Sequence, residues 1–163
     1  MAKITDSPKE IRPDMSPEER NTLTAIISSL FVIGYSAFHL QGMAADGLFA
    51  GPDAVIRWAR AVVWLIGAGI VFMVLMAILM AIATAIITRE QDPSGLVDER
   101  DRMIRGWGMR VTMVTSSVGF LIGVGALALE WPVVAGLNIM LASFYFGALA
   151  GDIAKLVLYR FGT

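Results

Sequence analysis

The stretch AVVWLIGAGIVFMVLMAILMAIATAIIT, from Ala61 to Thr88, decides the fold class of this 163-residue chain. It contains 28 residues and no Asp, Glu, Lys or Arg, whereas about 20 apolar residues in a helix suffice to cross a bilayer core of roughly 30 Å. Residues 21–45, 111–129 and 131–151 form three further stretches without these charges. A chain in hydrocarbon must satisfy its own backbone hydrogen bonds, and these stretches lack the alternation of a membrane β-strand. The sequence therefore predicts four transmembrane helices.

The overall composition agrees with a membrane protein. Hydrophobic residues make up 56% of the chain, the mean hydropathy is +0.68, and the 17% of charged residues are gathered in a few blocks. This composition argues against a soluble enzyme and against a disordered protein. The absence of cysteine excludes a disulfide scaffold and disfavours a thiolate-bound metal or iron–sulfur site.

Lysine and arginine are distributed unevenly between the two sides of the membrane that the four predicted helices cross. Eleven of the thirteen lie in the N-terminal tail, in the segment 89–110 and in the C-terminal segment, whereas the other side carries Arg57 and Arg60. Because cytoplasmic loops are enriched in these residues, we predict that both termini are cytoplasmic. The predicted fold class is an all-α integral membrane protein with four transmembrane helices arranged as two hairpins.

The chain divides into a short tail and one membrane domain. Residues 1–15 contain two prolines and mixed charge, and we expect a disordered cytoplasmic tail. Residues 16–163 form a single four-helix domain, which starts at a capping signal, Ser16-Pro17-Glu18-Glu19. The predicted membrane spans are approximately 21–43, 61–88, 109–129 and 132–152, and the charged cytoplasmic segment is 89–110.

Small residues recur at helical spacing in the last two spans. Gly119 with Gly123, and Gly147 with Gly151, form two GxxxG pairs, which allow helix backbones to approach closely in lipid. The sequence leaves open whether these glycines pack the helices within one chain or pack one chain against another. We expect a homo-oligomer.

Few residues in the spans could carry chemistry. No acidic or basic residue lies at the middle of a span, which argues against an ion-coupled transporter or a proton pump. His39 is the single histidine, so a bis-histidine haem within one chain is impossible. Asn138 is expected to form an interhelical hydrogen bond or to line a polar path near the shared face of the last two helices. We predict no catalytic residue, no metal site and no cofactor.

The charged segment is the most distinctive part of the sequence. Residues 89–110 contain five arginines and five acidic residues, so a basic surface for anionic lipid or nucleic acid is not expected. The segment is either a solvated helix start with the pairs Asp98–Arg102 and Asp101–Arg105, or a docking surface for a cytoplasmic protein. The residues predicted to bind such a partner are Asp98, Glu99, Arg100, Arg102, Ile104 and Trp107.

A resemblance to a known family rests on the same segment. Residues 98–104, DERDRMI, resemble the DER-x-R-x-I loop of a family of small predicted bacterial membrane proteins of unknown function. Residues 155–162, KLVLYRFG, resemble the closing K-x-x-x-Y-R-x-G pattern of that family, although Phe161 replaces a usual second basic residue. The resemblance covers residues 95–162. Members often occur with small helix-turn-helix regulators, so the resemblance implies a protein of the bacterial inner membrane that binds or sequesters a transcription factor.

These observations favour a non-enzymatic membrane protein that anchors or regulates a cytoplasmic partner through residues 94–107. Two alternatives remain open at this point. The first is a small oligomeric transporter or channel, suggested by the glycine-rich third and fourth helices with Asn138 near their shared face. The second is an accessory subunit of a larger membrane complex, which packs against other helices and performs no chemistry.

Overall fold

The computed structural model describes residues 17–88 and 99–162. The helices are α1 (Pro17–Ala45), α2 (Ala54–Thr88), α3 (Glu99–Ala128) and α4 (Val133–Phe161). Each is long and apolar enough to cross a membrane, and the described residues contain no strand. This confirms the predicted all-α class with four potential membrane-spanning helices. The tail 1–15, the cap at Ser16 and residues 89–98 of the charged segment lie outside the described residues.

The surfaces of the helices are strongly apolar. Val63, Trp64 and Leu121 have 71%, 76% and 67% of their surface exposed. Along the most apolar stretch of α2, 6% of the residues are buried within the chain. Contiguous apolar surface of this extent is rare on soluble monomers. The helices therefore need surroundings of lipid or of other apolar helices.

Helices α1 and α3 are each followed closely by a residue in the left-handed backbone region. After α1, Gly47 has φ +69°, and its N–H bonds the carbonyl of Ala44 while Leu48 N bonds Met43 O at 3.0 Å. After α3, Glu130 has φ 60° and makes the same pattern of bonds. Both are Schellman motifs, which usually place glycine at this position because a side chain is disfavoured there.

The α3–α4 pair is the most extensive contact in the fold, and the two helices run antiparallel. A methyl group added at Gly123 would lie 3.1 Å from the carbonyl oxygen of Gly136, and one added at Gly151 would lie 2.8 Å from that of Gly108. Gly147 lies equally close to the backbone of Thr112. The backbones of α3 and α4 therefore touch along most of their length, in the manner of small-residue packing in membranes.

Hydroxyl groups add to the α3–α4 contact. Ser143 lies against Gly119 and donates to the carbonyl of Met140 at 2.7 Å. Ser116 lies against Gly147 and donates to the carbonyl of Ser143 across the interface at 3.3 Å. The four glycines of the two GxxxG pairs thus all lie within the contact between α3 and α4 of one chain.

α1 packs against α4 and α2, and α2 is the most peripheral helix. Phe31 of α1 stacks on Phe72 of α2 with ring centroids 4.4 Å apart. Val32 lies against Gly69, where an added methyl group would be 3.3 Å away. The contact of α2 with α4 is short and lies near the start of α2. α4 is therefore the central helix, and it holds α3 on one side and α1 on another.

The role of the glycine contact can be tested with two neighbouring positions on α3. Gly123→Val places a branched side chain against the backbone of α4, whereas Gly125→Val extends into open space. We expect Gly123→Val to lower the free energy of unfolding by about 1–3 kcal/mol, the usual cost of overpacking, and Gly125→Val to change it by less than about 0.5 kcal/mol. Unfolding in detergent, followed by circular dichroism, measures both. Equal destabilisation by the two variants would contradict the packing described above.

Candidate functional site

The first three turns of α3 extend beyond its apolar stretch and carry the charges noted in the sequence. Residues 99–110 span about 18 Å at 1.5 Å per residue. Side chains that are three or four residues apart share a face of a helix, so the mixed charge of this segment is sorted onto two faces. One face turns toward α1 and α4, and the other turns away from them.

The inward face of this segment joins α3 to the end of α4. Ile104 is 5% exposed, and Gly108 lies against the side chain of Lys155. Arg100 donates from Nη2 to the carbonyl oxygen of Gly162 at 2.8 Å and to that of Tyr159 at 3.4 Å. A cation at these carbonyls also complements the negative end of the α4 dipole.

Ionic contacts connect the same end of the bundle to α1. Arg105 lies 3.8 Å from Glu18, and Arg160 Nε donates to Glu19 Oε1 at 2.7 Å. Such exposed pairs each contribute up to about 1 kcal/mol. Their main effect is to fix the relative positions of the ends of α1, α3 and α4. The start of α1 and the end of α4 therefore lie together.

The outward face combines apolar and charged groups, and we call it the α3 surface. Met103 is 60% exposed and Trp107 is 51% exposed. The guanidinium of Arg110 lies 5.1 Å from the centre of the Trp107 ring, which is a cation–π contact. A shallow groove of about 550 Å³ follows this face. It is lined by Glu99, Arg102, Met103, Gly106, Trp107 and Arg110.

The structure divides the six residues predicted to bind a partner. Glu99, Arg102 and Trp107 lie on the α3 surface. Ile104 and Arg100 face the bundle, where Ile104 is buried and Arg100 holds the end of α4, so these two are parts of the fold. Asp98 lies outside the described residues.

Sequence reasoning missed Met103, Gly106 and Arg110 as members of the α3 surface. Together with Trp107 they follow the spacing i, i+3, i+4, i+7, which marks one face of a helix. Applying this spacing to the segment would have separated them from Ile104 and Arg100. The spacing that groups these residues on one face is visible in the sequence. The sequence does not show whether that face points toward the bundle or away from it.

Asn138 forms an interhelical hydrogen bond, as expected, but with α2. Its side chain accepts a hydrogen bond from the indole N–H of Trp58 on α2 at 2.7 Å, and it lines a groove between α4 and α1. The expectation that Asn138 lies near the shared face of α3 and α4 is therefore wrong, because glycines and hydroxyls occupy that face. Asn138 gives no support to a polar path between these two helices.

The remaining candidates for chemistry lie apart. His39 is exposed, and its ring stacks on Tyr35 at 6.2 Å between centroids. Within residues 17–88 and 99–162, no three His, Cys, Asp or Glu side chains are grouped so that they could hold a metal ion.

Comparison of the chain with protein-family models, with curated proteins and with solved structures finds no match. The resemblance to the family with the DER-x-R-x-I loop stays a prediction.

Two variants test whether Arg100 stabilises the end of α4 while Arg102, on the α3 surface, does not. Arg100→Ala removes the charged donor from the last carbonyls of α4, whereas Arg102→Ala leaves that bond in place. We expect Arg100→Ala to raise amide hydrogen exchange in the last turn of α4 about fivefold, which corresponds to a loss of about 1 kcal/mol. Arg102→Ala should leave this exchange unchanged. Hydrogen-exchange mass spectrometry of the C-terminal peptide measures both, and equal protection in the two variants would argue against the role of Arg100.

Proposed function

We propose that this chain is a non-enzymatic, multi-pass protein of the bacterial inner membrane that anchors or regulates a cytoplasmic protein. The observation that carries this proposal is the α3 surface, where exposed Met103 and Trp107 stand among charges of both signs on a segment whose other face is fixed to the bundle. A helix held in place in this way presents its outward face without a large cost of ordering on binding.

The distribution of arginine between the two ends of the bundle supports a cytoplasmic position for the α3 surface. The bundle end that contains the paired Glu19 and Arg160 also contains the arginines at the start of α3, whereas Arg57 and Arg60 lie at the other end. The positive-inside rule assigns the arginine-rich end to the cytoplasm. We propose two hairpins, α1–α2 and α3–α4, with both termini cytoplasmic.

The chemistry of the α3 surface describes the partner that fits it. Trp107 and Met103 supply apolar contact area, and tryptophan is a frequent centre of binding energy in protein interfaces. Arg102 and Glu99 supply charges of opposite sign, which favour a partner with complementary charges over a uniformly acidic one such as a nucleic acid. A small helix-turn-helix regulator, which the family resemblance implies, is the partner class that we propose.

A second candidate function is an accessory subunit of a larger membrane complex. It is favoured by α2, whose side chains from Met73 to Ala83 are mostly exposed although the helix is the most apolar of the four. Helices of a larger complex, or a second copy of this chain in a homo-oligomer, would pack against this part of α2. The two functions differ in the surface that they use, so variants of the α3 surface distinguish them.

The proposed orientation is testable because the chain has no cysteine. Asp46→Cys introduces a thiol in the α1–α2 connection, and Arg102→Cys introduces one on the α3 surface. We expect a membrane-impermeant maleimide to label the first variant in right-side-out cells and the second in inverted vesicles. Labelling of both variants from the same side would contradict the topology.

The partner-binding role is tested by reversing two charges on the α3 surface. We expect Glu99→Lys combined with Arg102→Glu to reduce co-purification of the cytoplasmic partner at least tenfold, or about 1.4 kcal/mol, because like charges then face each other across the interface. Arg60→Glu at the opposite end of the bundle is the matched control and should retain the partner. Undiminished co-purification with the double variant would show that the α3 surface is not the binding site.

A further inference from the structure

A second groove lies between α1 and α4, at the opposite end of the bundle from the α3 surface. It has a volume of about 290 Å³. Its walls are largely apolar, with Ile33 and Phe146 among them, and it contains four neutral polar side chains. These are Ser36 and Gln41 of α1 and Asn138 and Tyr145 of α4. We call it the α1–α4 groove.

The amide of Asn138 has its orientation fixed by Trp58. An indole N–H can only donate, and it donates to Asn138 Oδ1 at 2.7 Å. The NH₂ group of Asn138 therefore turns away from Trp58, on a side chain that lines the groove. Among the described residues, no acceptor is hydrogen-bonded to this NH₂ group.

A second donor lies in the groove about two turns of α4 beyond Asn138. The hydroxyl groups of Ser36 and Tyr145 are 3.4 Å apart and share one hydrogen bond, in which either can donate. Because each hydroxyl carries one proton, the proton of the accepting hydroxyl remains for another acceptor. The groove thus presents donors at two depths along α4.

Both donors lie within the proposed membrane span. Asn138 and Tyr145 follow Pro132 by six and thirteen residues, which places them about 9 Å and 20 Å along the helix axis. Hydrocarbon offers no acceptor at these depths, and an unpaired amide or hydroxyl there is costly. An occupant of the groove that supplies acceptors removes this cost.

The chemistry of the groove defines that occupant. Its polar side chains are all uncharged, so it offers no charged partner for an ionic ligand. Its donors that lack a hydrogen-bond partner match the oxygen of a carbonyl group. We propose that the α1–α4 groove binds a neutral, lipid-soluble carbonyl compound, whose carbonyl accepts from the Asn138 amide and whose apolar body lies along α1 and α4. The volume is near the lower limit of small-molecule sites, which suits a single ring or the ester region of a lipid. This site is independent of the α3 surface.

Two sources of such a carbonyl are a quinone ring and the ester of a glycerolipid, and one experiment distinguishes them. The chain, purified in mild detergent, is incubated separately with decylubiquinone and with dioleoylphosphatidylethanolamine, and native mass spectrometry counts the molecules retained. We expect one molecule of one of the two compounds per chain. Its carbonyl stretch in the infrared should move to lower frequency when bound, because the carbonyl accepts a hydrogen bond.

Two pairs of variants separate the groove from the stability of the fold. Ala142→Leu fills the groove, whereas Ala148→Leu adds the same side chain at an exposed position of α4. Asn138→Leu removes the amide donors, whereas Trp58→Phe removes the indole bond and keeps them. We expect Ala142→Leu and Asn138→Leu to weaken retention at least tenfold and Asn138→Leu to abolish the infrared shift. Ala148→Leu should retain the compound. Trp58→Phe keeps the amide but removes the bond that orients it, so it should weaken retention less than Asn138→Leu does.

The outcome overturns the proposal in any of three cases. In the first case, the unmodified chain retains neither compound. In the second, Ala142→Leu retains the compound as well as Ala148→Leu does. In the third, Asn138→Leu leaves both the affinity and the infrared shift unchanged. Retention of decylubiquinone alone identifies a ring carbonyl as the ligand, and retention of the phospholipid alone identifies an ester. Partner binding at the α3 surface does not enter these measurements, so the two proposals fail separately.

Discussion

The contact between the backbones of α3 and α4 is the constraint on which the other features depend. Lipid chains are as apolar as leucine, so burial of apolar side chains does not drive helices together in a bilayer. Gly108, Gly123, Gly136 and Gly151 remove the side chains that would hold the backbones apart, and dispersion and hydroxyl hydrogen bonds then act at short range. Once α3 and α4 are joined, α4 offers its remaining surface to α1, and α2 is attached mainly through α1.

The same contact positions both surfaces that we consider functional. At the arginine-rich end, fixing α3 on α4 brings Arg100 to the last carbonyls of α4 and turns Ile104 inward, which leaves Met103 and Trp107 on the opposite face. At the other end, α4 turns Asn138 toward α1 and α2 because its α3-facing side is occupied by glycine and serine. One helix thus has a packing face and a polar face, and the α1–α4 groove is formed on the second.

The fold was predictable from sequence because the relevant signals are local. Four uncharged stretches of at least 19 residues require four helices in a bilayer. The glycine pairs indicated close packing, but not which helices they join. For the α3 surface, residue type was enough to select Glu99, Arg102 and Trp107. It could not exclude Arg100 and Ile104, because the type of a residue does not report which face of the helix it lies on.

The sequence by itself determined the number of helices, their apolar character and the segregation of arginine, because these follow from residue type and from the thickness of hydrocarbon. Only the tertiary structure decided which face of each helix is covered. It directed Asn138 to Trp58, 80 positions away in the chain, and it placed Arg105 beside Glu18 of α1. Such contacts depend on the rotation of each helix about its axis, and that rotation is set by the fit of small residues between neighbouring helices, which hydropathy does not report.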